Sequence, residues 1–103
     1  MCPGIWLTPT PGHTSGHVCV NIRSGGRRAA VTGDMMHHAL QCREPDWSTC
    51  FCWDPAMAAR SRRRFLAEVA DTDAVLLPIH FPGPTAGKVE ADGARFHYRF
   101  LKE

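Results

Sequence analysis

From His17 to Arg23 the chain alternates, with Val18, Val20 and Ile22 on one side and Cys19 and Asn21 on the other. A period of two is that of a half-buried strand. Before it, Gly4 to Thr8 is a short segment rich in strand formers, broken by Pro9-Thr10-Pro11-Gly12. After it, Ser24-Gly25-Gly26 reads as a hairpin turn, and Arg28 to Thr32 as the returning strand, ending at Gly33-Asp34. No clean period runs from Met35 to Trp53, where Pro45, Trp47 and Trp53 mark an ordered loop. Asp54-Pro55 then predicts a helix start, an N-cap carboxylate followed by proline at the first helical position. The helix is expected to reach about Ala70, with Ala58, Phe65 and Val69 on its buried face. The apolar run from Asp73 to Ile79 fits a strand buried on both faces. His80-Phe81-Pro82-Gly83-Pro84 is a loop by composition. Lys88 to Glu90 and Ala94 to Leu101 form a closing hairpin, with Asp92-Gly93 at its turn.

This order predicts an α/β chain of the α+β type: one mostly antiparallel sheet with one main helix. One helix covers one face of such a sheet, and the other face needs a partner that these residues do not supply. With 103 residues the chain is the size of a single small domain, and no repeat or linker divides 1–103. A net charge of +2 is too mild to point to nucleic acid or an acidic membrane surface, so neither is expected as a partner. No apolar run is long enough to span a bilayer. Met1-Cys2-Pro3-Gly4 lacks the basic and apolar regions of a secretory signal. Five cysteines cannot all pair within one chain, and reduced thiols in a cytoplasmic protein are the simplest expectation.

Three short segments carry candidate chemistry. In Pro11-Gly12-His13-Thr14-Ser15-Gly16-His17, a histidine in a glycine-bounded loop between two strands is well placed to ligate a metal. Thr14 is placed to hydrogen-bond the neighbouring backbone or a second ligand. In Gly33-Asp34-Met35-Met36-His37-His38, Asp34 ends a predicted strand, and its two oxygens can bridge two ions. His80 ends the apolar strand, held by the rigid turn residues after it. Taken singly, these also fit a turn with surface histidines, a capping aspartate and a core histidine. Together they put His, Asp and His at the ends of three strands, and strand ends on one edge of a sheet converge.

Those motifs, in that order, resemble the later motifs of the metallo-β-lactamase-fold hydrolases, in particular the lactonase and organophosphate-hydrolase-like branch. The helix from Asp54 to Ala70 and the strand after it fit the same resemblance, which covers nearly the whole chain. It implies a single partial domain over 1–103: the C-terminal half of an αββα sandwich. It further implies that His13 ligates a first metal, Asp34 bridges two metals and His80 ligates the second. Thr14, His17, His37 and His38 would stand behind them or on the substrate side. Zinc is the implied cofactor, with manganese or iron as alternatives. The implied chemistry is metal-assisted hydrolysis of an ester, lactone or phosphotriester. The family's His-x-His-x-Asp-His motif is not present in the sequence. Completion of the site would therefore fall to a homodimer partner or a complementary N-terminal half chain. The alternative is a non-catalytic remnant, acting as a dimeric interaction module or a single-metal-binding module.

Other features change this picture little. Cys42, Cys50 and Cys52 cluster in sequence without the spacing of a zinc knuckle. Arg60, Arg62, Arg63 and Arg64 read as a solvated helix face. Trp6, Trp47 and Trp53 are expected to fill core or interface, with a substrate cleft as the other reading.

Overall fold

The computed structural model describes residues 4–48, 52–78 and 86–101. Six strands form one sheet in chain order: β1 (Ile5–Pro9), β2 (Val18–Ser24), β3 (Arg27–Val31), β4 (Val75–Leu77), β5 (Gly87–Asp92) and β6 (Arg95–Phe100). All neighbours are antiparallel except β3 and β4. A parallel pair needs a long crossover, and here it contains α1 (Leu40–Arg43) and α2 (Pro55–Val69). The expected α+β chain, one mostly antiparallel sheet with one main helix, is what forms.

The long helix begins where the sequence says it should. The Asp54 side chain accepts from the Met57 backbone N–H at 3.0 Å, and Pro55 takes the first helical position. Ala58, Phe65 and Val69 are buried, as expected from their spacing, together with Leu66. Phe65, Leu66 and Val69 pack with Cys19, Ala30, Leu76, Val89 and Tyr98 into one core. The core therefore lies on the Cys19–Asn21 side of β2. The alternating valines of that strand face the other way.

Register defines that second face. Ile5 pairs with Ile22, Leu7 with Val20, Val20 with Val31, Ala29 with Val75 and Val31 with Leu77. Cross-strand partners share a face, so β1 to β4 present a continuous aliphatic surface away from the helix. Ile5, Leu7 and Ile22 are among the exposed large hydrophobic residues. On β5 and β6 the same face turns charged, with Lys88 opposite Arg99 and Glu90 opposite His97.

Several expectations need correction. The strand read over Asp73 to Ile79 is shorter, and only Leu76 at its centre is buried, while Val75 and Leu77 are half-buried. The reason is the open face: an apolar run is buried on both sides only where both sides are covered. Ile79 lies outside the described residues. Gly33-Asp34, read as the end of the strand, opens a 3₁₀ turn over Gly33–Met35, and the stretch read as a loop contains a helical turn at Leu40–Arg43. The last hairpin turns at Gly93-Ala94, because Asp92 pairs with Arg95. The arginine run is not a uniform solvated face. Arg62 is 1% exposed and gives its hydrogen bonds to the carbonyls of Met35, Pro45 and Trp47 and to Ser48 Oγ. Trp47 and Trp53 are exposed in this chain. Among the described residues, no helix is long and apolar enough to cross a membrane.

Candidate metal centre

One edge of the sheet gathers the end of β1, the start of β2 and the ends of β3 and β4, since Pro9 pairs with Val18, Val20 with Val31 and Val31 with Leu77. The loop between β1 and β2 carries His13. Three successive carbonyls of this loop are held from α2 and the residues before it. Ser61 Oγ donates to Pro11 O at 2.7 Å, the Asp54 N–H to Gly12 O at 2.7 Å and the Trp53 N–H to His13 O at 3.0 Å. Gly12 has φ 141°, and a Cβ there would lie 2.1 Å from the Ala58 nitrogen. Only glycine lets the loop come this close to the helix.

The second part of the site is the 3₁₀ turn after β3. Gly33 has φ 54°, and a Cβ there would lie 2.9 Å from His17 Nε2. His17 spends both ring nitrogens on positioning. Its Nε2 accepts from the Asp34 backbone N–H at 2.9 Å, so its Nδ1 carries the proton and donates to Thr10 Oγ1 at 2.9 Å. Burial, aided by the nearby His13 ring, lowers the His17 pKa below its usual 6.5, although the Asp34 carboxylate acts in the opposite direction. His17 is a neutral strut that fixes the turn presenting Asp34.

Three side chains then converge. His13 Nε2 lies 3.6 Å from Asp34 Oδ2, and His37 Nε2 lies 3.6 Å from Asp34 Oδ1. The His13 and His37 ring centroids are 5.4 Å apart. One donor atom from each of the three residues falls within 4.8 Å of the other two. A charge-assisted N–H···O bond is shorter than these contacts, at about 2.7–2.9 Å. Two ligands of one tetrahedral zinc, each about 2.0–2.1 Å from the ion, stand roughly 3.4 Å apart. The spacing, and a donor set of two imidazoles and one carboxylate, therefore fit a divalent cation. The side chains remain accessible, with 20%, 37% and 24% exposure for His13, Asp34 and His37.

The remaining candidates divide. His37 joins the donor group directly, where the sequence placed it in a supporting role. The chain leaves the 3₁₀ turn at Met36, in extended conformation, and so returns His37 beside Asp34 three residues before it; the Asp-x-x-His spacing was the signal for it. Its backbone N–H donates to Gln41 Oε1 at 2.6 Å. His38 is exposed and accepts from the Leu40 N–H at 3.0 Å, which turns it toward α1. Thr14 is exposed, and its carbonyl accepts from Gly12 and His17 within the loop. His80 and Cys50 lie outside the described residues. Cys42 is buried in the core and Cys52 lies beside His13, so these two do not share a metal site. A groove on the open face, lined by Ile22, Arg27, Ala29, Asp73, Val75 and Lys88, reaches Ser24 and Gly26 at the far end of the sheet and contains none of the three donors.

No protein-family model and no curated protein sequence matches this chain. Solved structures do. The dizinc quorum-quenching lactonase AidC, in complex with a product, superposes with a TM-score of 0.92 at 27% identity, over 100% of this chain and 35% of its own. The hydrolase AbOPH of the beta-lactamase superfamily gives 0.90 at 22% identity, over 99% and 36%. A probable metal-dependent hydrolase from Staphylococcus aureus gives 0.72 at 24% identity, over 99% and 37%. The fold is that of a part of the metallo-β-lactamase-superfamily hydrolases. The chain spans about a third of the length of these structures.

Proposed function

We propose that this chain supplies one sheet layer and a metal centre of a metal-dependent hydrolase acting on an ester, lactone or phosphotriester. The observation that carries this reading is the convergence of His13, Asp34 and His37 at one edge of a metallo-β-lactamase-type sheet. His13 and His37 would bind the ion through Nε2 and Asp34 through a carboxylate oxygen. His80, expected from its place at the end of the apolar strand and from the resemblance, would add a further ligand and Asp34 would then bridge to a second ion. Zinc suits this donor set, with manganese or iron as alternatives. Bound there, zinc supplies Lewis acidity and makes water nucleophilic near neutral pH. His17 keeps Asp34 oriented, and Gln41 keeps His37 oriented through its backbone. The aliphatic face of β1 to β4 supports a second sheet as the missing layer, contributed by a complementary chain or a second copy. A cytoplasmic setting, with reduced thiols, belongs to the same proposal.

Elemental analysis of natively purified protein tests the centre. The expected result is about one zinc or more per chain, lost in His13→Ala and Asp34→Asn. A wild-type chain that stays metal-free after incubation with zinc would sink the proposal. Turnover of chromogenic ester, lactone and phosphotriester substrates, with and without a complementary chain, tests the reaction. A single-metal-binding module is the second reading, favoured by the fact that all three converging donors come from one chain. It is the outcome if zinc binds and no substrate turns over in any assembly.

A further inference from the structure

His13 has a second neighbour on the edge of its ring away from Asp34. Cys52 Sγ lies 3.6 Å from His13 Nδ1, while the ring's Nε2 is the atom 3.6 Å from Asp34 Oδ2. An imidazole offers a cation one bare nitrogen, and the partner of the other nitrogen decides which one is bare. In metal sites that partner is ordinarily a carboxylate, a backbone carbonyl or water, and it also sets the ring's orientation. We infer that Cys52 is the positioning residue of His13: its sulfur accepts a hydrogen bond from Nδ1–H, leaving the Nε2 lone pair turned toward Asp34 and His37. This inference rests on the metal-centre reading above.

The backbone around Cys52 is built for this role. The next two residues hold the same loop, with the Trp53 N–H on His13 O and the Asp54 N–H on Gly12 O. Asp54 is at the same time the cap of α2, bonded to the Met57 N–H. The thiol is thus anchored to the start of the longest helix and delivered to a ring 39 positions earlier in the chain. It is not one of the three converging donors. Sulfur is a weak acceptor, so it steers the ring without adding a second carboxylate charge beside Asp34.

The test is zinc affinity of the full chain, measured by competition with a chromogenic chelator. Cys52→Ala is expected to bind zinc about 10–100-fold more weakly, with an unchanged melting temperature in the metal-free state. Cys52→Asp restores an acceptor and is expected to bind at least as tightly as wild type. Cobalt(II)-loaded wild type is expected to lack the sulfur-to-metal charge-transfer absorption of a cysteine ligand. That band, if present and lost in Cys52→Ala, makes Cys52 a ligand and overturns the inference. So does a Cys52→Ala protein with wild-type affinity when His13→Ala has lost zinc, and that result leaves the metal centre standing. A wild-type chain that binds no zinc overturns both.

Discussion

The two faces of the sheet are built on opposite plans. The helix side mixes a compact core with polar structure: buried Asn21 donates to Trp6 O and Thr8 Oγ1 and accepts from Arg28 Nη2. The guanidiniums of Arg23 and Arg28 each lie 5.3 Å from the Trp6 ring centroid. Arg62 sits beneath the loop that carries Asp34 and His37, stitched to three carbonyls and a hydroxyl. The open side of β1 to β4 is aliphatic except at its far end, where Ser24 pairs with Arg27. Asn21 and Arg62 are tolerated under the helix because each finds several hydrogen-bond partners there. An aliphatic sheet face without polar partners suits close packing against another apolar layer. The charged residues of β5 and β6 limit where such a layer fits.

Arg62 gives the largest test of the contrast. Replacing it with methionine keeps much of the volume but leaves the carbonyls of Met35, Pro45 and Trp47 without its donors. A loss of about 3–5 kcal/mol in denaturant unfolding is expected. Burial works against the charge, lowering the Arg62 pKa below its usual value. A stabilised Arg62→Met would therefore mean that desolvation outweighs its four hydrogen bonds.

Leu76 and Leu7 make a matched pair. Leu76 is 0% exposed under the helix, and Leu76→Ala should cost about 2–4 kcal/mol through lost burial and a cavity. The buried thiols give the next effect. Burial pushes Cys19 up to about 11 and Cys42 up to about 12, from 9.0. A folded-state value above the unfolded one stabilises below the unfolded pKa and is lost as pH rises past it. Stability should therefore fall above pH 9, by about 1 kcal/mol per thiol at pH 10. A Cys19→Ala, Cys42→Ala variant followed by chemical denaturation should show a flatter decline. Leu7 is 44% exposed on the open face, and Leu7→Ser in the isolated chain should change stability by no more than about 0.5 kcal/mol. A cost as large as that of Leu76→Ala, with a melting temperature that depends on protein concentration, would reveal a second copy already covering that face.

Much of the candidate site was legible because its signals are local. Gly12-His13 and Gly33-Asp34 announce tight backbone next to a ligand-type side chain, and both glycines prove sterically required. His37 was harder to place, since its role depends on the turn geometry that brings it level with Asp34. Cys52 could not be found, because nothing local links it to a histidine 39 positions away. Arg62 was misread because a run of arginines on a helix carries no mark of which member points inward.

By itself the sequence determined the six strands, the capped helix and the chain positions at which His13 and Asp34 leave the sheet. Hydrophobic period, turn chemistry and the Asp54-Pro55 cap all act within a few residues. Only the tertiary structure decided which face of β2 the helix covers. A period of two separates two faces without saying which will be buried, and here the helix took the side of Cys19 and Asn21. It also decided that Arg62 is internal and that Cys52 meets His13, because each contact closes a loop whose ends are joined by packing and not by local propensity.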